Sequence, residues 1–294
     1  MRIKLHNMKG SPRCLSHLAA LLLLLPAVCG CQGEQAASAQ TEDITMLRVG
    51  VLPTQECMRL YYARHMGVAD SLGVRLVCFR SLADIDTALM SGRVDVALTD
   101  TARLAYLLTD SAALKKWKAT SMRLDTLCAA SDSLWLLVTD SSAVKGVGGL
   151  KDKLVGMLRY SDAQTATDRL MRFARYAEGD VFGIQVGDLA VRYKMLTARL
   201  IDAAFLPQPY ASAAEALGHR RLPFPPSDTL RQGVWVAQRG LKKKGKDVTP
   251  LLQMLHDSTQ MEPDTMRIIL EDVYRLSAKD VELLYGHKNG TLRH

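Results

Sequence analysis

Apolar and amphipathic segments alternate along this chain, and the alternation occurs twice in the same order. In the first block, segments of helical periodicity separate short apolar runs at 47–52, 74–79 and 94–98. A second block repeats this order, with apolar runs at 154–158, 181–186 and 201–206. Runs that are apolar almost throughout are typical of strands in a parallel sheet covered by helices on both faces. The pattern predicts an α/β protein of two lobes, each with a mostly parallel sheet flanked by helices.

Short polar turns follow the carboxyl ends of the predicted strands. In open parallel sheets, ligands bind at this edge, beside the N-termini of the following helices. The blocks end in similar phrases, "SGRVDVALTDTARL" at 91–104 and "TARLIDAAFLPQPYASA" at 197–213, so we expect both lobes to face one cleft. The candidate ligand-binding residues are Thr54, Gln55, Ser81, Thr99, Asp100 and Thr101 in lobe one, and Arg159, Tyr160, Ser161, Gln208 and Tyr210 in lobe two.

Several candidates also have a purely structural interpretation. Ser81 and Thr101 are suited to cap the helices that follow them, whether or not they bind a ligand. Asp100 is either a charge at a helix start or the partner of a ligand amine. Arg159 is either a surface residue or the partner of a carboxylate, sulfonate or phosphate. Four aromatic residues would either stack on a heterocycle or pack in the core: Tyr61, Tyr62, Trp135 and Trp235.

The order of the elements also predicts how the lobes are connected. Strands near 134–139 and 233–238 are expected to run between the lobes as a two-stranded hinge. The segment after about residue 249 is almost entirely helical, so we expect it to pack back on lobe one. Lobe one would then be discontinuous, with residues 46–133 and 233–294, and lobe two would comprise residues 134–232.

The first 30 residues have the layout of a secretory signal. Four basic residues precede an apolar run at 18–28, which is too short to span a bilayer core of about 30 Å. The run ends in Cys29-Gly30-Cys31 and resembles a bacterial lipobox, in which Cys31 would be lipidated, although Cys29 stands where Ala or Ser is commoner. An ordinary cleaved signal and an uncleaved anchor are the alternatives. Residues 31–45 lack apolar periodicity and are predicted to be a flexible tether.

Charge and motif content argue against several classes of protein. The net charge is +8, but residues 1–30 carry four positive charges and no negative ones, which leaves about +4 for the chain from Cys31 onward. The one Lys-rich stretch, at 239–246, has no interleaved aromatics, so no nucleic-acid partner is expected. Cys57, Cys78 and Cys128 make no disulfide framework and no metal-binding pair, although a single bridge stays open. The sequence has no Gly-x-Ser-x-Gly and no His-Glu-x-x-His, so we expect neither an enzyme, a cofactor nor a metal site.

Two motifs connect these features to a known family. They are "ALMSGRVDVA" at 88–97 and "DAAFLPQPYA" at 202–211, in the element order described above. From residue 47 to about residue 238 the sequence resembles the type II periplasmic solute-binding proteins of ABC importers. The most similar branch is the one that binds nitrate, sulfonates, taurine and thiamine precursors.

The resemblance implies a Venus-flytrap receptor that is monomeric and lipid-anchored in the bacterial cell envelope. Such a receptor closes on a small polar molecule and delivers it to a membrane permease. Two alternatives share the fold: a receptor that signals to a membrane partner, and an enzyme similar to a thiamine-precursor synthase. The cysteine-rich motif of that synthase has no counterpart here.

Overall fold

The computed structural model describes residues 46–109, 112, 115, 123–130, 133–139, 144–223, 230–231 and 233–285. The expected signal, the tether and the lipidation residue Cys31 lie outside these residues. The described residues belong to one compact unit, Asp43–His294.

Strands and helices alternate through most of the described chain. The strands are β1 Leu47–Val51, β2 Val74–Cys78, β3 Val96–Thr99, β4 Leu124–Ala129, β5 Ser133–Val138, β6 Lys153–Met157, β7 Val181–Gln185, β8 Ala203–Pro207, β9 Arg220–Leu222, β10 Leu230–Arg231 and β11 Val234–Gln238. The α-helices are α1 Met58–His65, α2 Val68–Ser71, α3 Leu82–Met90, α4 Thr101–Thr109, α5 Asp162–Ala174, α6 Leu189–Thr197, α7 Tyr210–Ala216, α8 Thr249–His256, α9 Pro263–Asp272 and α10 Ala278–Tyr285.

The strands form two sheets, one in each lobe. Sheet one has the order β2-β1-β3-β11-β4, with β1 parallel to β2 and β3 and with β11 antiparallel to both of its neighbours. Sheet two has the order β10-β5-β8-β6-β7, and β9 pairs with β5. In it, β6 is parallel to β7 and β8, whereas β5 is antiparallel to β8, β9 and β10. The predicted α/β architecture with two lobes is confirmed, and the antiparallel strands make both sheets mixed.

The chain crosses between the sheets immediately before each of the two strands that were expected to form the hinge. These strands, β5 and β11, belong to different sheets rather than to one ribbon. At the crossing, the backbone N–H of Ala130 donates to the carbonyl of Gly233 at 3.0 Å. Gly233 has φ +106°, and a Cβ on it would lie 2.8 Å from the Cβ of Ala130. Only glycine fits this close backbone approach without displacing a neighbour.

The C-terminal helices contact both lobes, whereas the sequence predicted packing on lobe one. Helices α8 and α9 pack on α1 of lobe one, but α10 packs on α7 of lobe two. Between α9 and α10, the Tyr274 hydroxyl donates to the carbonyl of Thr54 at 2.7 Å, and its own carbonyl accepts from the Tyr210 hydroxyl at 2.8 Å. One continuous cluster of buried apolar side chains accordingly includes residues of both lobes.

A buried carboxylate fixes the edge of lobe one that lies opposite the strand tips. Asp95, in the "GRVDVA" motif, is 1% exposed and accepts hydrogen bonds from the backbone and guanidinium of Arg48 and from Nζ of Lys246 at 2.6 Å. Burial raises the pKa of Asp95, but the hydrogen bonds from Arg48 and Lys246 outweigh this effect and hold the pKa below its usual value. The Asp of this motif therefore joins β1, β3 and the loop at 239–246.

Replacing Asp95 with Ala should lower the free energy of unfolding by about 3–5 kcal/mol, because it leaves the ammonium of Lys246 buried without its partner. Urea denaturation measures this change. Asp125→Ala is the matched control, because the Arg239–Asp125 pair is exposed and surface ion pairs contribute little to stability. Equal unfolding midpoints for the two variants would contradict the structural role assigned to Asp95.

Candidate functional site

A cavity of about 60 Å³ lies between the lobes, at the carboxyl ends of strands from both sheets. Lobe one lines it through the ends of β1 and β3 and the start of α3, and lobe two through the segments after β6 and β7 and through β8. Its polar lining residues are Thr54, Ser81, Thr99, Asp100, Ser161 and Arg192. The remaining lining is apolar or glycine: Leu52, Leu82, Leu98, Leu134, Leu158, Ala163, Gly187, Leu189, Pro207 and Gly233.

Two serines in the lining lie at helix N-termini, and their hydroxyls form hydrogen bonds within their own segments. Ser81 is the N-cap of α3, where its Oγ accepts from the backbone N–H of Asp84 at 3.3 Å and donates to the Asp84 carboxylate at 2.9 Å. Ser161 precedes α5, and its Oγ donates to the carbonyl of Leu158 at 2.6 Å. Both hydroxyls therefore have protein partners without a ligand, and only Ser81 caps its helix through its side chain.

Two threonines in the lining have unsatisfied hydroxyls. Thr54 follows β1 and is 6% exposed, and Thr99 ends β3 and is 2% exposed. Neither Oγ1 has a hydrogen-bond partner. A buried hydroxyl without a partner costs about 1–3 kcal/mol. A ligand with hydrogen-bonding atoms in the cavity would remove this cost.

The cavity also contains a buried cation. Arg192, on α6, is 4% exposed, and its guanidinium donates to the carbonyls of Val186 and Phe205. Burial lowers the pKa of Arg192 to about 10, and the acids Asp188 and Asp100 offset this only in part. No carboxylate of the described residues forms a salt bridge with it. Because hydrogen bonds to carbonyls leave the positive charge uncompensated, this part of the cavity favours an anion.

Two carboxylates join the lobes at the front of the cavity. Asp162, at the start of α5 in lobe two, accepts from the Thr101 hydroxyl at 2.9 Å and from the backbone N–H groups of Thr101 and Ala102 at the start of α4. In return, Asp100 accepts from the backbone N–H of Asp162 at 3.0 Å and from that of Arg103 at 2.6 Å. Each helix start thus receives a carboxylate from across the cleft, where the helix dipole favours negative charge.

The proximity of these carboxylates alters how Asp100 binds a proton. Burial and the neighbouring Asp162 carboxylate raise the pKa of Asp100 to about 7, although the N–H donors of Arg103 and Asp162 act in the opposite direction. Burial likewise raises the pKa of Asp162. The charged groups that face Asp100 are Asp162, Arg103 and Arg192. Asp100 therefore binds a proton at a higher pH than an ordinary carboxyl does.

Further contacts between the lobes surround the cavity. At the front, a guanidinium N–H of Arg103 donates to the carbonyl of Arg159 at 3.1 Å, and the rings of Tyr106 and Tyr160 stack with centroids 4.1 Å apart. Arg103 is held in turn by hydrogen bonds from its guanidinium to Asp86.

Two more contacts lie at the side and at the back of the cavity. At the side, Arg80 and Asp188 form a salt bridge at 3.8 Å. At the back, the backbone N–H of Gln55 donates to the carbonyl of Gln208 at 2.9 Å. The lobes are therefore in the closed arrangement.

The structure brings five of the eleven predicted site residues into the lining: Thr54, Ser81, Thr99, Asp100 and Ser161. Thr101, Arg159 and Tyr160 lie at the front rim, in the contacts between lobes. Gln55 and Gln208 meet at the back through their backbones, and the Gln208 side chain accepts from the backbone N–H of Ser212 in α7.

Neither the site candidate Tyr210 nor the aromatic residues considered for stacking line the cavity. Tyr210 is fully buried, with its hydroxyl on the carbonyl of Tyr274, so it belongs to the core. Trp235 is also fully buried and donates its indole N–H to Glu56 at 2.9 Å. The ring of Trp135 lies under the guanidinium of Arg221 at 3.6 Å. Tyr61 packs edge-on against Tyr274.

Sequence reasoning missed Arg192, Asp162 and Gly187. An arginine among the buried positions Leu189, Ala190, Tyr193 and Leu196 of one helix is a detectable anomaly in the apolar face of α6. Asp162 follows the predicted Ser161 directly and could have been taken with it. Gly187 would need the partner lobe for its identification, because a Cβ there would lie 3.1 Å from the Cβ of Ser81.

Other kinds of site find no support in the described residues. They contain no group of three or more His, Cys, Asp or Glu side chains that could hold a metal ion. Within this part of the chain, Cys57, Cys78 and Cys128 form no disulfide. None of the described helices has the length and apolar character needed to cross a bilayer.

Comparison with solved structures identifies the fold. The ligand-binding component of an ABC-type import system from Staphylococcus aureus, solved with zinc bound, is 18% identical, with a TM-score of 0.58 over 81% of this chain and 82% of that chain. The aliphatic sulphonate-binding protein SsuA from Escherichia coli is 17% identical, with a TM-score of 0.57 over 84% and 80%. The nitrate-binding protein NrtA from Synechocystis PCC 6803 is 13% identical, with a TM-score of 0.62 over 81% and 69%.

No family profile and no curated protein matches the sequence. The structural similarity nevertheless extends over both lobes, and the chain has the fold of periplasmic solute-binding proteins.

The raised pKa values of Asp100 and Asp162 lead us to expect pH-dependent closure. When the pKa of a carboxyl is higher in one state, proton binding stabilises that state. The stabilisation is complete below the ordinary Asp pKa of 3.8, and it is lost as the pH rises through the raised pKa of about 7. Opening would separate the two carboxylates, so acidification from about pH 8 to about pH 5 should stabilise the closed form and raise the melting temperature.

Asp162→Asn keeps an oxygen acceptor for α4 and removes the charge, so its melting temperature should change less with pH than that of the wild type. Asp168→Asn, at an exposed position on the same helix, is the control and should keep the wild-type profile. Identical pH profiles for all three proteins would show that the carboxylate pair does not govern closure.

Proposed function

We propose that this protein is the extracytoplasmic substrate-binding receptor of an ABC importer and that it captures a small anion between its lobes. The observation that carries the proposal is the cavity at the strand ends, which combines the buried Arg192 cation with the unpartnered hydroxyls of Thr54 and Thr99. An anion would compensate the charge and accept both hydroxyl hydrogen bonds at once.

The volume of the cavity narrows the choice of ligand. Benzene fills an engineered cavity of about 150 Å³, so a space of about 60 Å³ is too small for a pyrimidine ring in this closed arrangement. Nitrate and methanesulfonate have four and five non-hydrogen atoms and are of suitable size. The neighbours that bind nitrate and aliphatic sulphonates are consistent with this class, and thiamine precursors are disfavoured.

Zinc is a weaker candidate, although one structural neighbour was solved with it. The polar lining includes one carboxylate and no histidine or cysteine. Zinc sites in proteins usually have three or four His, Cys or carboxylate ligands. A buried arginine beside the same space would also repel a cation.

The mechanism is binding and closure without bond making or breaking. An anion in the cavity would contact Thr54 and Thr99 of lobe one and Arg192 of lobe two simultaneously, which an open form cannot provide. A ligand shifts the equilibrium by its difference in affinity for the two states, so these added contacts favour closure. The serines in the lining bond to Asp84 and to a carbonyl rather than to a histidine, which supports a receptor over a hydrolase.

The sequence and the fold together support a location and a partner for this receptor. The secretory signal and the lipobox-like Cys31 support a protein anchored by lipid outside the cytoplasmic membrane. The structural neighbours support a membrane permease as the partner that receives the ligand.

Thr54→Val and Thr99→Val test the proposal with shape-conserving changes. Each substitution removes an unsatisfied buried hydroxyl, so the ligand-free protein should keep or gain stability, while affinity for the anion should fall about tenfold or more. Calorimetric titration with nitrate and with methanesulfonate measures the affinity, and thermal melting measures the stability.

Thr167→Val is the matched control, because the buried Thr167 hydroxyl donates to the carbonyl of Ala163 and lies outside this cavity. It should lower stability by about 1 kcal/mol and leave affinity unchanged. If neither anion stabilises the wild type while a pyrimidine does, the assignment of ligand class is wrong. If a turnover product accumulates instead, the receptor function is wrong.

A further inference from the structure

The edge of lobe one opposite the cavity is formed by five chain segments, which we call the lobe-one base: residues 46–48, 70–75, 91–95, 123–125 and 238–247. Backbone hydrogen bonds join them in sequence across the edge. Leu47 donates to Gly73, and Asp95 donates to Arg48, each at 2.8 Å. Gln238 donates to Asp95 at 2.8 Å, and Arg239 donates to Arg123 at 2.7 Å. The base is therefore one continuous surface.

The lobe-one base concentrates positive charge. Its segments contain nine Lys and Arg residues and four Asp residues, which gives a net charge of +5. The chain from Cys31 onward carries about +4, so everything outside the base is close to neutral. Of the four acids, Asp95 is buried, Asp125 pairs with Arg239, and Asp70 and Asp247 are exposed, so basic residues still outnumber acids on the exposed surface of the base.

The most basic part of the lobe-one base is a short turn that buried side chains fix on both sides. The loop after β11 forms the 3₁₀ turn Leu241–Lys244, in which Leu241 is buried and the three lysines are exposed. Immediately afterwards, Lys246 is buried on Asp95 at 2.6 Å. Buried contacts on both sides of the turn thus hold it in place while Lys242, Lys243 and Lys244 remain exposed.

Exposed apolar side chains lie at the β2 end of the base, close in sequence to the exposed Arg75, whereas the lysine turn follows β11. Val68 and Leu72, one helical turn apart, are 44% and 42% exposed, and Met66 is 54% exposed. Leu72 belongs to the base, and α2 with Val68 leads directly into it. Basic residues beside exposed apolar side chains are typical of surfaces that lie on a lipid bilayer.

The described chain enters the fold at this same surface. Met46 precedes β1 at the base, and Cys31 lies 15 residues upstream. A chain of that length spans at most about 50 Å when fully extended, so a lipid on Cys31 would keep the base near the headgroups.

We propose that the lobe-one base docks on an anionic membrane surface, with the cationic turn at 242–244 on the headgroups and the apolar residues of α2 at their boundary. This proposal rests on the membrane attachment in the proposed function but not on the identity of the ligand. Docking in this orientation points the strand tips and the cavity away from the bilayer.

Vesicle flotation tests the proposal with the unit that begins at Asp43, which lacks Cys31 and is compact on its own. This protein should float with vesicles of phosphatidylglycerol and phosphatidylethanolamine and should not float with vesicles of phosphatidylcholine. Each basic residue near an anionic surface contributes about 1 kcal/mol, or about fivefold in affinity, so Lys242→Glu with Lys243→Glu should weaken partitioning at least about tenfold. Added salt should weaken it further.

Arg172→Glu with Lys194→Glu, at exposed helical positions in lobe two, changes the charge equally and should leave partitioning within about twofold of the wild type. An equal loss of vesicle partitioning in the two double variants would indicate general charge attraction and overturn the proposal. Failure of the wild type to float, or equal flotation with phosphatidylcholine, would also overturn it. Thermal melting shows that each variant is folded. Anion binding measured on the same proteins tests the proposed function separately, because none of these residues lines the cavity.

Discussion

The exchange of carboxylates between two helix starts is the interaction on which the closed arrangement of this protein depends. Asp162 of lobe two accepts hydrogen bonds from backbone N–H groups at the start of α4. Asp100 of lobe one accepts one from the backbone N–H at the start of α5. Each acid is stabilised by the opposite helix and destabilised by the other acid. The closed form is thus held by interactions that oppose one another, which suits a receptor that must also open.

The back of the molecule is constructed differently from the front. One apolar cluster continues from lobe one through the C-terminal helices into lobe two, and Tyr274 joins Thr54 to Tyr210. Closely packed apolar contacts of this kind are costly to separate. Polar contacts at the front can exchange for water at much lower cost. The lobes are therefore expected to separate at the front rim while the back remains packed.

The parts of the site that belong to one strand end could be predicted from the sequence, and the parts that depend on tertiary contacts could not. Thr54, Ser81, Thr99 and Ser161 were identified because a polar residue after an apolar run marks the edge of a parallel sheet. Tyr210 occupies an equivalent place in the sequence, but the C-terminal helices cover it and turn it into core. Arg192 comes from the middle of a helix, where periodicity indicates burial but cannot indicate a cavity. The pairing of the two expected hinge strands could not be predicted for a related reason, since strand patterns do not reveal which sheet a strand joins.

Gly187 has a consequence for how tightly this receptor can shut. Its Cα faces Ser81 across the cleft, and a methyl group in its place would meet the serine Cβ at 3.1 Å, closer than most such contacts in proteins. A larger side chain at position 187 would contact Ser81 before the lobes had closed fully. Each lobe would remain folded, but closure would be incomplete. Because Gly187 has no Cβ, the two lobes can approach closely at this side of the cavity, so that a small ligand can contact both of them.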